Sequence, residues 1–453
     1  MNEVKNYIER NKQKFLDELF SLIKIPSVST KPGYEKDIRD CANQYVKLLQ
    51  EAGVDKTKIF ETAGNPIIFA EKIINKNLPT AIIYAHYDVQ DVENQEWKVT
   101  KPFEPINKDG KIYARGADDD KGQGFMHVKA FEYMVKHDKL SCNVKFVIEG
   151  EEEITSPNFG KWCTENKSLL KGDFVMVSDT KMIDSDTPCI MTGLRGIVGW
   201  ELIVEGPKQD VHSGHYGGAI LNPLNVLCEI IAKLKDETGK ITIPNFYDDV
   251  LELSEEERKS IQENPFDEKK LKGDLGIIDF QGEIGYKTIE HIGIRPSFDV
   301  LKLEGGSDRN CVHSIAKAKL SSRLVPNQNY KKIGESLQKY VEKIAPKNIK
   351  VTTNILNGDN PYSCSMDMSV YKVAENAFKS VYNKKPFPVK NGGSIGAITL
   401  LEESLNIKSL IIGFGLNEDH IHGEDESYPL KNFYNGIETI IMFYKFFNDY
   451  YKA

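Results

Sequence analysis

The chain has 453 residues, about three times a typical domain length, so it has room for two or three packed units. A composition 40% hydrophobic and 28% charged, with 34 Gly, 19 Pro and no biased tract, excludes collagen-like, disordered and coiled-coil chains. With 59 basic against 67 acidic residues, net −8, there is no positive field to neutralise a phosphate backbone, and nucleic acid is not an expected partner.

The N-terminal stretch sets Phe15, Leu16, Leu19, Phe20, Leu22 and Ile23 at helical spacing and stops at Ile25-Pro26. Glu3, Lys5, Glu9, Arg10, Lys12 and Lys14 interrupt it, so it offers no signal-peptide core, and no stretch anywhere reaches the roughly 20 apolar residues that span a bilayer. A cytoplasmic location and no membrane partner are expected. The seven cysteines are odd in number, scattered and without a CxxC pair, which predicts reduced thiols instead of a disulfide framework or a thiolate zinc site.

Further along, Ala81 to Tyr84, Val144 to Ile148 and Phe174 to Val177 read as buried strands. Between the first two, Val128, Phe131, Met134 and Val135 share a helix face. The alternation returns with a strand at Leu410 to Ile412 and a closing helix at Leu430 to Phe447. This predicts an α/β unit with a mostly parallel sheet covered on both sides.

The central segment has a different grammar. Gly199 to Val204 reads as a strand, Leu224 to Leu234 as a helix, Phe298 to Leu303 and Lys317 to Leu324 as strands, Ile333 to Ile344 as a helix, and Ile349 to Ile355 as a strand. That β-α-β-β-α-β order predicts a ferredoxin-like α+β domain. An acidic insertion from about Asp236 to Tyr286 interrupts it, with Ser254 to Lys272 reading as a solvated helix. The expected division is a catalytic domain of 1–195 and 362–453 around an inserted domain of 196–361.

Ionisable residues cluster at the carboxyl ends of the apolar strands, where open α/β sheets hold ligands. His86 and Asp88 share a strand face. Asp118, Asp119 and Asp120 precede a helix whose N-cap needs only one of them. Their mutual repulsion calls for a cation. Val144 to Ile148 exits into Glu149, Glu151, Glu152 and Glu153, Asp179 ends the next strand, and His422 follows Leu410 to Ile412. A His, Asp, Glu, Asp, His set without thiolate suits zinc or manganese. Five candidates exceed one catalytic zinc site, which favours two metals sharing a carboxylate and hydrolytic chemistry.

These motifs together resemble the co-catalytic metallopeptidases that include carnosine dipeptidases, carboxypeptidase G, aminoacylase and succinyl-diaminopimelate desuccinylase. The matching segments are His86-x-Asp88, Arg115-Gly116-Ala117-x-Asp119-Asp120-Lys121-Gly122, Glu149-Gly150-x-Glu152-Glu153, Ser178-Asp179, Val211-His212-Ser213-Gly214 and Gly392-Gly393-Ser394. The resemblance runs from about residue 15 to the C-terminus and implies a zinc-exopeptidase-like catalytic domain with a lid and dimerisation domain inserted. It implies metal ligands His86, Asp119 (bridging), Glu153, Asp179 and His422, with Glu152 as general base acting on a metal-bridging water and Asp88 supporting His86. It also implies a cis peptide at Asp119-Asp120.

Similarity to the carnosine dipeptidase subfamily extends to Asn310, to Arg323-Leu324-Val325-Pro326-Asn327 and to Ser394. It implies that Arg323 grips a substrate carboxylate, for which a guanidinium fork is the natural donor. It implies further that His212 and Asn310 act across a homodimer, His212 stabilising the oxyanion. The chain departs from the family pattern at Asp118, at Thr155-Ser156, at Cys311-Val312-His313 and at Gly423-Glu424-Asp425-Glu426.

The expected function is a dinuclear metal-dependent dipeptidase acting on small peptides. The alternative is an N-acyl-amino-acid amidohydrolase, a deacetylase or desuccinylase, using the same site. A remoter one is a non-catalytic binding protein on this fold. A cysteine hydrolase built on Cys311 and His313 lacks, in the sequence, a third group to orient the imidazole. Gly392 to Gly396 lacks the lysine and spacing of a nucleotide loop.

Overall fold

The computed structural model describes residues 2–253, 255–263 and 265–451. The chain divides into two compact units, one of residues 1–192, 364–388 and 395–453, the other of 193–363 and 389–394.

In the first unit, four strands run parallel in the spatial order Asn143–Glu149, Thr80–His86, Phe174–Val177, Ser409–Ile411. Ile67–Lys72 and Lys56–Phe60 extend one side antiparallel. Every residue of Asn143–Glu149 and Phe174–Val177 is buried. That explains why Phe174–Val177 reads as an unbroken apolar run and Val144 to Ile148 as one broken only by Lys145, whose Nζ donates to the Leu169 and Lys171 carbonyls at 2.7 Å: both sheet faces are covered, and the side chains of either parity lose water. The helix Lys121–Lys136 packs on Thr80–His86 and is itself overlaid by Leu430–Tyr451, which also packs on Ser369–Tyr382. Asn2–Ile23 buries one stripe, Val4, Ile8, Phe15, Leu16, Leu19, Leu22 and Ile23, against the same core. It ends before Pro26, whose ring disfavours helical backbone at the preceding residue. Each such Leu, Ile or Phe contributes roughly 1.5–3 kcal/mol by leaving water.

The second unit is a four-stranded antiparallel sheet in the order Ser297–Glu304, Ile315–Leu324, Gly196–Glu205, Lys350–Asp359. Helices Pro223–Ala232 and Tyr330–Ile344 pack on it, each started by an asparagine side chain that accepts from backbone N–H groups, Asn222 from Leu224 and Asn329 from Lys331 and Lys332. Trp200, Leu202, Val204, Leu227, Leu320, Leu337 and Val341 fill the space between. The chain order is therefore strand, helix, strand, strand, helix, strand, the ferredoxin-like arrangement. A separate two-stranded ribbon pairs Val211–His212 with Cys311–Val312.

Within the insertion the structure has two short helices, Glu255–Gln262 and Glu268–Leu275, where one was expected. Asp267 caps the second by accepting from the Lys270 N–H. The expected helix start at Ser254 lies outside the described residues, as does Asn264. Among the described residues no helix is long and apolar enough to cross a membrane.

Candidate active site

Because the four central strands of the first unit are parallel, their carboxyl ends open on one side and deliver ionisable residues together. His86 closes Thr80–His86, and Asp179 follows Phe174–Val177 by two positions. Glu152 and Glu153 begin the short turn after Asn143–Glu149. His422 lies in the loop beyond Ser409–Ile411, at a left-handed φ of 63°.

Asp119 is presented by a tight turn into Lys121–Lys136. Gly116 sits at φ 80°, and a Cβ on Gly122 would meet the Ala117 carbonyl oxygen at 1.8 Å, so glycine is required at both places. The Asp119–Asp120 peptide is cis. The three adjacent aspartates have different surroundings. Asp118 accepts from Gln123 Nε2 at 2.9 Å, and Asp120 accepts from the His86 backbone N–H at 3.2 Å. Asp119 directs Oδ1 to His86 Nε2 at 3.0 Å and Oδ2 to His422 Nε2 at 2.9 Å.

Two donor groups result, His86 with Asp119 and Asp179, and Asp119 with Glu153 and His422; within each, ligand atoms lie within 4.8 Å of one another. Glu153 Oε2 is 3.1 Å from His422 Nε2, and Asp179 Oδ2 is 4.0 Å from His86 Nε2. His86 is fully buried while the His422 side chain is 51% exposed, so the open side of the cluster is the His422 side.

The electrostatics of this cluster call for cations. Burial, then repulsion from Asp119 and Asp120, pushes the Asp179 carboxyl well above its ordinary value. Burial raises Glu152 well above the usual range against the pull of His86, and Asp179 and Glu153 reinforce the rise. Glu153 is raised by burial and by Asp119. Burial works against Asp119 too, yet its contacts with His422 and His86 hold it well below the usual carboxylate range. Its partners respond in kind: hydrogen bonds that His422 donates to Asp119 and Glu153 lift its pKa to about 10. His86 is raised well above its ordinary value by Asp119 and Asp88 despite burial. Four carboxylates, Asp119, Glu152, Glu153 and Asp179, face two imidazoles here, and divalent ions on the donor nitrogens and oxygens would supply the positive charge that the cluster lacks. Nitrogen and oxygen donors without sulfur fit that role.

Asp88 does more than was expected of it. Its carboxylate lies 3.4 Å from His86 Nδ1, with its backbone oxygen nearer at 3.0 Å. It also accepts the N–H groups of Glu152 and Glu153 at 3.2 and 3.1 Å, and the Ser29 hydroxyl at 2.6 Å. One carboxylate thus fixes a histidine and the turn that carries two glutamates.

Two further residues escaped the sequence reading. Glu426, fully buried, accepts from Arg115 Nη1 at 2.7 Å and from the N–H groups of Gly116, Asp118 and Asp119 at 3.0, 3.0 and 3.2 Å, so it moulds the turn that presents Asp119. Gln90 Nε2 donates to Glu153 Oε2 at 2.9 Å. The departure at Gly423 to Glu426 was the available signal for Glu426; nothing in the sequence marks Gln90.

In the second unit, Arg323 Nη1 donates to Ser394 Oγ at 2.9 Å, which joins two of the expected substrate-binding residues. Nearby, burial and then Arg323 lower the pKa of Arg195 to about 10, and its guanidinium donates to the carbonyls of Gly392, His291 and Arg295 at 3.1, 3.2 and 3.4 Å. His212 and Asn310 are also brought together, since the Asn310 carbonyl accepts from the N–H and hydroxyl of Ser213 at 3.1 and 2.9 Å.

The chain matches Peptidase family M20/M25/M40 over residues 82–445. It belongs to that family. The M20 fold and its hydrolytic, metal-dependent chemistry agree with the resemblance carried by the motifs, and a non-catalytic reading falls away. The chain is 27% identical over 462 residues to the Cys-Gly metallodipeptidase dug1 of Schizosaccharomyces pombe, covering 97% of this chain and 96% of that protein. It is 26% identical over 389 residues to human Beta-Ala-His dipeptidase, covering 84% and 77%. Among solved structures it is similar to an M20 family metallo-carboxypeptidase from Sulfolobus solfataricus, with 31% identity, a TM-score of 0.85, and coverage of 96% of this chain and 99% of that one.

Proposed function

We propose that this M20 enzyme is a dipeptidase that uses two divalent ions, zinc or manganese, and works as a homodimer in the cytoplasm. The observation that carries the reading is Asp119, whose two carboxylate oxygens face two different donor groups. His86, Asp179 and Asp119 would hold one ion, and Asp119, Glu153 and His422 the other. Bound there, the ions would polarise the scissile carbonyl and acidify a water.

The chain's own residues supply the rest. Glu152, kept basic by burial and by neighbouring carboxylates, takes the proton of the attacking water. It returns that proton to the amine nitrogen as the C–N bond breaks. Asp88 keeps His86 and the Glu152 backbone in register. Arg323 holds the substrate's terminal carboxylate, and His212 donates to the oxyanion of the partner's site. The relatives named as dipeptidases support the substrate class, and cysteines that form no disulfide among the described residues support a reducing compartment.

The likeness to a metallo-carboxypeptidase favours a second reading, in which longer peptides are trimmed from the C-terminus. Metal-loaded protein assayed against dipeptides, N-blocked tripeptides, and acetylated or succinylated amino acids separates these. Dipeptides should give the highest kcat/KM. Faster cleavage of N-blocked tripeptides would establish the carboxypeptidase reading, and faster cleavage of acyl amino acids the amidohydrolase one.

A further inference from the structure

The second unit holds a cluster of nucleophilic and titratable groups that peptide hydrolysis does not use. In the ribbon of Val211–His212 and Cys311–Val312, His212 stands directly opposite Cys311. Two positions further along, beyond the Val211 and Val312 pair, Asp210 and His313 meet, with His313 Nδ1 3.0 Å from Asp210 Oδ2. His313 Nε2 lies 3.4 Å from Cys311 Sγ. This corrects the sequence expectation that Cys311 and His313 have no third group, because the ribbon register brings Asp210 across from a distant part of the chain.

The Asp210 carboxylate is itself fixed. Oδ1 accepts the Ser314 N–H at 3.0 Å, and Oδ2 also accepts from Arg309 Nη2 at 2.7 Å. A carboxylate so held keeps the proton of neutral His313 on Nδ1 and leaves Nε2 as a base facing sulfur. Ser307 Oγ, a hydroxyl 3.2 Å from the same Nε2, is the second group besides the thiol within its reach. The charged and titratable groups around the thiol are thus His313, Asp210 and Arg309, with His212 opposite it on the ribbon and His215 stacked on His212 at 4.6 Å. Cys311 is partly exposed, unlike the buried Cys41, Cys142, Cys163 and Cys189. The same three side chains could in principle gather a metal ion. The Arg309 guanidinium bound to Asp210 argues against it, since a second cation would share that oxygen.

We infer that Cys311, His313 and Asp210 form a reactive-thiol site that takes up small-molecule disulfides. His313 Nε2 removes the thiol proton, the Cys311 thiolate attacks one sulfur of the disulfide, the S–S bond breaks, and the released thiolate takes the proton from His313. One mixed disulfide forms and one small thiol leaves, with no other oxidant required. The modified sulfur stands opposite His212 on the ribbon.

The test is the rate of reaction of metal-loaded protein with dithiodipyridine between pH 5.5 and 8, with the labelled cysteines identified by mass spectrometry. An ordinary thiol is under about 1% ionised at pH 6. With His313 Nε2 placed to take its proton, Cys311 should react at least about tenfold faster than the exposed Cys228 at pH 6. His313→Gln should abolish that advantage, and Asp210→Asn should reduce it while the protein stays folded by circular dichroism. A Cys311 rate no faster than that of Cys228, or one that ignores His313→Gln, would overturn the inference. So would labelling that zinc blocks and chelation restores, since the cluster would then be a cation site.

Discussion

His422 Nε2 lies 2.9 Å from Oδ2 of Asp119, a contact between residues from opposite ends of the chain. It links the second donor group to the first, because the other oxygen of the same carboxylate faces His86 at 3.0 Å. Neutralising this one side chain should therefore affect both groups. Asp119→Asn should lose at least one equivalent of bound metal, by elemental analysis after dialysis, and nearly all activity, whereas a ligand serving one group, such as His422→Ala, should retain the other equivalent. Full metal content in Asp119→Asn would contradict a bridging role.

Glu152 has a different signature. It sits among the donors without belonging to either group, so Glu152→Gln should keep metal content and thermal stability while lowering kcat by about 10²–10⁴. Near-normal turnover in that variant would remove Glu152 from the proton-transfer role.

Much of this was legible before any coordinates. His86 and Asp179 announce themselves because an apolar run ending in an ionisable residue is a strand end in a parallel sheet, and the ferredoxin-like unit shows in its order of elements. What stayed hidden depends on distant segments meeting. Glu426 is marked only by the departure at Gly423 to Glu426, which does not say what it holds until the loop folds back onto Arg115 and four hydrogen bonds form. Asp210 becomes the partner of His313 only through the register of a two-residue ribbon. The insertion shows the opposite limit: a polar segment without a buried stripe gives periodicity no purchase, and one expected helix is two.

Substrate length should depend on Arg323. If its guanidinium, held by Ser394, receives the terminal carboxylate, C-terminally amidated dipeptides should be cleaved at least about a hundredfold less efficiently than free ones. Arg323→Lys should raise KM more than it lowers kcat, since a point charge loses the bidentate fit. Equal kcat/KM for free and amidated dipeptides would sink the assignment.

A stability prediction comes from Glu132, buried beneath Lys129, Lys136 and Lys14, the last at 2.9 Å. Burial opposes its carboxylate, but the lysines hold its pKa at about 2, below the ordinary 4.5. A depressed folded-state value means the stabilisation is complete above the unfolded pKa and is lost as pH falls from about 4.5 through about 2. Lys14 and Lys136 are 46% and 47% exposed, so water screens part of the effect. Glu132→Gln should cost about 2 kcal/mol at pH 7 by urea unfolding, and about half of that or less at pH 3. A deficit unchanged at pH 3 would mean that packing, not charge, sets it.

The last prediction concerns His212. Its Nδ1 accepts the Gly214 N–H at 3.0 Å, which places the ring proton on Nε2 and leaves that N–H as an exposed donor. A neutral, pre-oriented N–H donor suits an oxyanion. If it serves the partner's site, His212→Ala should lower kcat more than it raises KM, with metal content unchanged. Subunit exchange then supplies the sharper test. Glu152→Ala and His212→Ala should each have little activity alone, but in a mixed dimer the subunit with an intact Glu152 receives an intact His212 from its neighbour. Random exchange makes about half the dimers mixed, each with one working site of two, so activity should return to about a quarter of wild type. No recovery despite demonstrated exchange, or full activity in a protein that sediments only as a monomer, would place the action of His212 within its own chain.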